Sequence, residues 1–330
     1  MAKKSTMMMA VAATAAAALT LSACSSEGGR QEAAGGEGGG GEGAGTPEIN
    51  VSLITHAAPG DTFWDIVRAG AEENATKNNV NLQYTSDPDG ARQAQLVNQA
   101  VDQGVDGIVV TLAKADAMSG AVERAVDAGI PVISINAGEE EFADMGVITH
   151  FGQNESIAGE ALGERLQEEG LEKPICVIQE QGHVGLENRC AGVTEVLPET
   201  EILYVQGTDM PSVKSTVTSS LQTSDADAIV GLGAPFTMTI IEAVEETGSD
   251  ITVASFDLNA ELAQAIADER VLFTVDQQPY LQGYSAVDAI WAYHRGGFTP
   301  GGGQPVLTGP AIVDGENIEN VLAYAEEGIR

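Results

Sequence analysis

One rhythm runs through this chain from residue 49 onward and leaves few folds open to it. A short apolar run is followed by a polar turn and then an amphipathic helical stretch, again and again. The runs are INVSLI from Ile49, VNLQYT from Val80, GIVVTL from Gly107, PVISIN from Pro131, PICVIQ from Pro174, EILYVQ from Glu201, AIVGLG from Ala228 and ITVASFD from Ile251. Near-continuous Val/Ile runs at helix-long spacing predict buried parallel strands joined by helices, the α/β doubly wound architecture. Eight or more such units exceed one comfortable core, so two lobes are expected.

The two halves share a weak self-similarity. GAVERAVDAGIPVISINAG, 120–138, and TIIEAVEETGSDITVASFDLN, 239–259, each read as helix, turn, apolar strand and a terminal polar residue, Asn136 in one and Asp257 in the other. Ligands of parallel sheets gather at the carboxyl ends of strands. Two lobes of like build therefore present Asn136 and Asp257 to a common cleft. The stretch APGDTFWDIVRAGAEENA, 58–75, lies at the carboxyl edge of the first strand, with Asp61 or Thr62 placed to cap the helix that follows. Phe63 and Trp64 fall in its first turn, about 100° apart. They read as one core anchor and one cleft wall, or as two cleft walls against the apolar face of a sugar or polyol.

The N-terminus reads as a processing signal. Lys3 and Lys4 precede an apolar stretch from Met7 to Leu21 that is short for a membrane span and ends in Leu21-Ser22-Ala23-Cys24. This resembles a bacterial lipoprotein signal with Cys24 as the lipidated residue; an ordinary signal peptide is the alternative. Residues 25–47 are Gly/Glu-rich, a disordered tether with an r.m.s. reach of roughly 25 Å. Export leaves Cys176 and Cys190 outside the reducing cytoplasm, where a disulfide is expected and two buried free thiols are the alternative. A net charge of −34 argues against nucleic acid and anionic membrane surfaces as partners.

No reactive constellation is legible. None of the four histidines, His56, His150, His183 and His294, has a metal spacing, and neither a nucleophile elbow nor a Walker loop is present. GLGAPF at Gly231 lacks the full dinucleotide fingerprint. The expectation is a non-enzyme without cofactor or metal.

Five motifs in order, DTFWDIVRAGAEENA, AVDAGIPVISIN, NRCAGV, VASFDLN and TVDQQPYLQGYSAVDAI, resemble the type I periplasmic sugar-binding proteins, the ribose/galactose/xylose-type receptors of ABC importers. The resemblance spans about 49–314. It implies two lobes joined by three crossing strands, here 48–152 plus 278–307 and 153–277 plus 308–330, closing on a sugar. Carried over residue by residue, it implies a ligand set of Asp61, Phe63, Trp64, Asn136, Arg189, Met210, Asp257 and Gln277. For Arg189 an ion pair with Glu187 or Glu180 is the alternative. The chain departs from the ribose-type pattern at Ala137, Met210 and Gly233. That implies a smaller, differently shaped or acyclic polyol, or contacts from His56, Lys114 or His183. A hydroxyl-rich neutral ligand is expected, since no basic cluster is present for a phosphate. The implied partners are a permease with its ATPase, reached from a lipid anchor on the outer face of the cytoplasmic membrane, with a Gram-positive envelope preferred. A receptor feeding a sensor kinase or chemoreceptor is the alternative. A DNA-binding repressor of the same fold would need a helix-turn-helix where this chain has its leader and acidic tether.

Overall fold

A computed structural model describes residues 45–330 apart from Pro59. The expected signal peptide, Cys24 and all of the tether before residue 45 lie outside the described residues. No described helix is long and apolar enough to cross a membrane.

All eight apolar runs form strands: β1 (Ile49–Thr55), β2 (Val80–Ser86), β3 (Gly107–Thr111), β4 (Val132–Asn136), β6 (Pro174–Ile178), β7 (Glu201–Tyr204), β8 (Ala228–Gly231) and β9 (Thr252–Phe256). Four further strands complete the sheets: β5 (His150–Gly152), β10 (Phe273–Asp276), β11 (Val306–Leu307) and β12 (Ala311–Asp314). One sheet has the order β11-β5-β4-β3-β1-β2 and the other β12-β10-β9-β8-β6-β7. Every pairing is parallel except β12 on β10, which is antiparallel. These are two α/β lobes of six strands each. The central strands are buried on both faces, as helix-covered parallel sheets require. The sequence expectation of buried strands fails at β2 and β7: as outer strands of their sheets they lie half-buried or exposed.

The chain crosses between sheets three times: from β5 into helix α4 (Glu155–Glu168), from β10 into α9 (Pro279–Gly296), and from β11 to β12. The crossings are laced together. Thr308 donates from N to Gly152 O (2.6 Å) and from Oγ1 to Gln277 O (2.7 Å), and Gln278 Nε2 donates to Thr308 O (2.6 Å).

Two close helix contacts position the cleft. Helix α1 (Phe63–Asn78) packs on α9 through Gly70 and Gly283, where a Cβ would run into the backbone of Tyr280 and Val67. Helix α4 packs on α5 (Val184–Val196) through Gly159 and Gly192 in the same manner, against the backbone of Arg189 and Ser156. The second contact brings Glu155, the first residue of α4, beside Arg189. Cys176 on β6 and Cys190 on α5 form a disulfide that ties this helix to the sheet beneath it.

Candidate functional site

The carboxyl ends of both sheets face a cavity of about 360 Å³ between the lobes. Its floor is a chain of polar side chains. Asn136 ends β4 and Asp257 directly follows β9, the equivalent strands of the two sheets, and both adopt left-handed backbone with φ of 65°. Asn and Asp tolerate that region better than other side chains with a Cβ. Gln277, at a crossing, bridges them: Asn136 Nδ2 donates to Gln277 Oε1 (3.0 Å), and Gln277 Nε2 donates to Asp257 Oδ1 (2.6 Å). Gln282 Nε2 also donates to Gln277 Oε1 (2.8 Å), which orients the amide.

Arg189 extends the chain. Its Nε and Nη2 donate to Glu155 at 2.6 and 3.0 Å, Nη1 donates to Leu232 O at 3.1 Å, and Nη1 lies 3.6 Å from Asp257 Oδ2. The expected alternative partners Glu187 and Glu180 are not the ones it uses. Glu187 instead takes the Tyr204 hydroxyl and Glu180 takes Lys114 (2.9 Å), while Glu155 is brought in by the close α4–α5 packing. Burial raises the Asp257 carboxyl to about 7, against the pull of Arg189 and the Gln277 amide.

The wall from the first lobe is aromatic. Phe63 and Trp64 are both buried, both belong to the core under β1 and both line the cleft, meeting edge to face at 4.9 Å. Thr62 makes no side-chain cap. The Asp61 carboxylate takes the Phe63 N–H (3.1 Å) instead. Burial lifts Asp61 to about 6, and the Phe63 backbone and Trp64 indole donors hold it from rising further.

Of the expected ligand set, Asp61, Phe63, Trp64, Asn136, Arg189, Asp257 and Gln277 line this cavity. Met210 does not. It is the first residue of helix α6 (Met210–Leu221) and packs on the core of the second sheet, with its sulfur 3.7 Å from Thr239 Oγ1. Phe236 supplies the aromatic wall of the second lobe, two residues into helix α7 (Ala234–Thr247). Its signal was present in GLGAPF: a strand end, glycines and an aromatic in the first helical turn, the same grammar as Phe63 and Trp64. Gly207 and Gly233 leave room for its ring. His56 and His183, considered as further contacts, line the cleft, and Lys114 stands behind them against Glu180.

Each cation at the cleft has a carboxylate partner: Arg92 with Asp87 (3.2 Å), Lys114 with Glu180 and Arg189 with Glu155. The cavity therefore offers hydroxyl donors and acceptors, and apolar faces, with no uncommitted positive charge for a phosphate.

The model of the periplasmic binding protein domain family matches residues 51–297. Over 235 residues the chain is 26% identical to the ribose import binding protein of Bacillus subtilis, covering 69% of this chain and 76% of that one. A carbohydrate transporter from Acidothermus cellulolyticus, solved in complex with myo-inositol, is 43% identical with a TM-score of 0.85, covering 86% of this chain and 100% of the other. An ABC sugar transporter (periplasmic sugar binding protein) from Legionella pneumophila is 26% identical with a TM-score of 0.74, covering 79% and 99%.

Proposed function

The chain belongs to the periplasmic binding protein domain family, and from that premise we propose that it is the extracytoplasmic receptor of an ABC importer for a neutral cyclic polyol or monosaccharide, inositol-like in size. The observation that carries the reading is the closed cleft itself. Aromatic walls from both lobes, Phe63 and Trp64 from one and Phe236 from the other, flank a floor of amide and carboxylate groups in which every cation already has a carboxylate partner. Rings of such ligands pair an apolar C–H face with a rim of hydroxyls, and the cleft has a surface for each. The likeness to the myo-inositol complex supports a six-membered polyol over ribose. It also fits the loss of ribose-type groups at Ala137 and Gly233.

In this reading Asp61, Asp257 and Asn136 accept or donate to ligand hydroxyls, and Arg189 and Gln277 hold them in place. Cys24 carries the lipid that keeps the receptor at the outer face of a Gram-positive membrane, and the permease with its ATPase takes the ligand. Calorimetric titration with myo-inositol, ribose, arabinose, xylitol and glucose 6-phosphate tests the reading. Binding of a neutral ring polyol with no binding of the phosphate ester is expected. Preference for the phosphate ester, or silence toward every neutral polyol and sugar, overturns it.

A further inference from the structure

Away from the crossings the two lobes touch where Asn259 Nδ2 donates to Thr62 Oγ1 (3.2 Å), and most closely through one loop. The crossing strands β5, β11, β10 and β12 lie at or next to one edge of their sheets, whereas β1 and β6 lie near the opposite edge. Residues 180–184 follow β6 and meet the ends of β1 and β3. Lys114 Nζ pairs with Glu180 (2.9 Å) and donates to Gln181 O (3.3 Å), and Val184 N donates to Ala113 O (3.4 Å). At the centre, His56 Nε2 and His183 Nε2 stand 3.0 Å apart, both rings buried. Neither histidine has any part in the ligand chemistry derived above.

The protons of this pair can be placed. His183 is the N-cap of α5, and its Nδ1 accepts from Gly185 N (3.1 Å) and Leu186 N (3.3 Å). Its one proton is therefore on Nε2 and is donated to His56 Nε2. His56 then carries its proton on Nδ1, 2.8 Å from Thr111 Oγ1. One N–H fills the space between the rings. A second proton on either imidazole would set two N–H groups against each other or against the α5 backbone donors.

His56, Glu180 and His183 also bring possible metal-ligand atoms within 4.8 Å of one another. A metal on His183 Nε2 would need the proton on Nδ1, which already accepts two N–H bonds, and Lys114 already occupies Glu180. The donor set does not fit a metal.

We propose that the His56–His183 contact is a latch that holds the cleft closed only while both imidazoles are neutral, so that acid releases it. The charged groups around the pair are Lys114 from the first lobe and Arg189 from α5, which oppose imidazolium, and Glu180, which is spent on Lys114; Asp61 and Glu187 lie farther out, beside Trp64 and Gly182. In the closed form burial, then the Lys114 charge, holds His56 down at about 3. Burial, then His56, Arg189 and Lys114, holds His183 well below its ordinary value. Opening returns the rings to water and to an ordinary value near 6.5. A base depressed in the closed form favours closure fully above about pH 6.5 and withdraws that support as the pH falls. Between pH 7.5 and 5.5 the closed-to-open ratio should fall about tenfold if one proton is taken up on opening, and about a hundredfold if both rings charge.

The test needs no ligand, so it stands or falls apart from the polyol reading. Single-molecule energy transfer between dyes at Glu123→Cys on one lobe and Ser219→Cys on the other reads the closed fraction across that range. The expected result is a fall of at least about tenfold in the otherwise unaltered protein. A fall of no more than about tenfold should remain in His56→Gln or in His183→Asn, whose amide oxygen can still cap α5, and the change should stay within about twofold when both are replaced together. A closed fraction that ignores pH, or an undiminished fall in the double variant, overturns the latch.

Discussion

Replacing Arg189 with Met is the severest test of the cleft floor. The guanidinium is buried with Glu155 and Asp257, whose side chains are only 8% and 10% exposed. The substitution keeps much of the aliphatic stem, so packing against Phe256, whose ring centre lies 4.9 Å from the guanidinium carbon, is partly conserved. What is lost is the only cation between two buried carboxylates. Breaking a buried pair by removing one partner costs about 3–5 kcal/mol, because the remaining charge has neither water nor a counter-ion. Leu232 O loses its donor as well, for roughly another 1 kcal/mol.

The cost should depend on pH, and its sign follows from Asp257. Burial already holds this carboxyl at about 7. Without Arg189 it rises further, so the folded variant binds a proton that the unfolded chain does not. A carboxyl raised in the folded state destabilises at high pH, and stability returns as the pH falls toward its unfolded value. Each pH unit recovers up to about 1.4 kcal/mol. Urea denaturation at pH 8 and at pH 5.5, compared with the unaltered protein at each pH, reads the difference. A loss below about 1 kcal/mol at pH 8, or a loss that does not shrink at pH 5.5, would refute the account of Arg189 as the charge that makes the floor tenable.

Asp257→Asn should weaken polyol binding by about ten- to hundredfold while the urea midpoint moves little, read by calorimetric titration and denaturation. Phe63→Ala and Trp64→Ala should each lose about 3–5 kcal/mol of stability, since both rings sit in the core beneath β1; a ligand-free melt left unchanged for either residue contradicts its core role. His150 is buried against Phe142, and burial holds it at about 3. Its ordinary value is 6.5, so stability present above that pH should fall by roughly 2 kcal/mol by pH 5, and His150→Gln should flatten that slope. Cys24→Ala should move the protein from the membrane fraction to the soluble one without changing its melting temperature; membrane retention would sink the anchor.

How much of this was legible follows from the length and locality of each signal. The eight runs were readable because each is six or seven residues of apolar-rich sequence set between a turn and a helical stretch. The four that were not, HFG, FTVD, VL and AIVD, are two to four residues long, and their pairing depends on the crossings between sheets. Asn136 and Asp257 were readable because a helix-turn-strand repeat ended on each. Glu155 was not: among 49 acidic residues, nothing local marks the one that a Gly159–Gly192 contact turns inward. The His56–His183 pair joins residues 127 apart, with no pattern around either to announce the other. Arg189 lines the cleft, but its ion-pair partner Glu155 was not legible, because the alternative partners, Glu187 and Glu180, were sought in its own helix and in the preceding loop.

The two half-sites differ in the way that closing on a neutral ligand requires. The first lobe contributes rings, an amide and one buried carboxyl: Phe63, Trp64, Asn136 and Asp61. The second contributes the ion-paired cluster, already assembled, with Arg189 held by Glu155 and Leu232 within its own lobe. Opening the cleft therefore leaves no ion pair broken on the floor. The one bond lost there on separation, Asn136 to Gln277, is between uncharged amides that water can satisfy. With the floor nearly indifferent to opening, the open–closed balance is left to whatever touches both lobes at once. In the proposed reading a hydroxylated ring bridging the Trp64 wall to Asp257 would be one such contact, and the loop 180–184 is another. The first makes closure answer to the ligand, the second to pH.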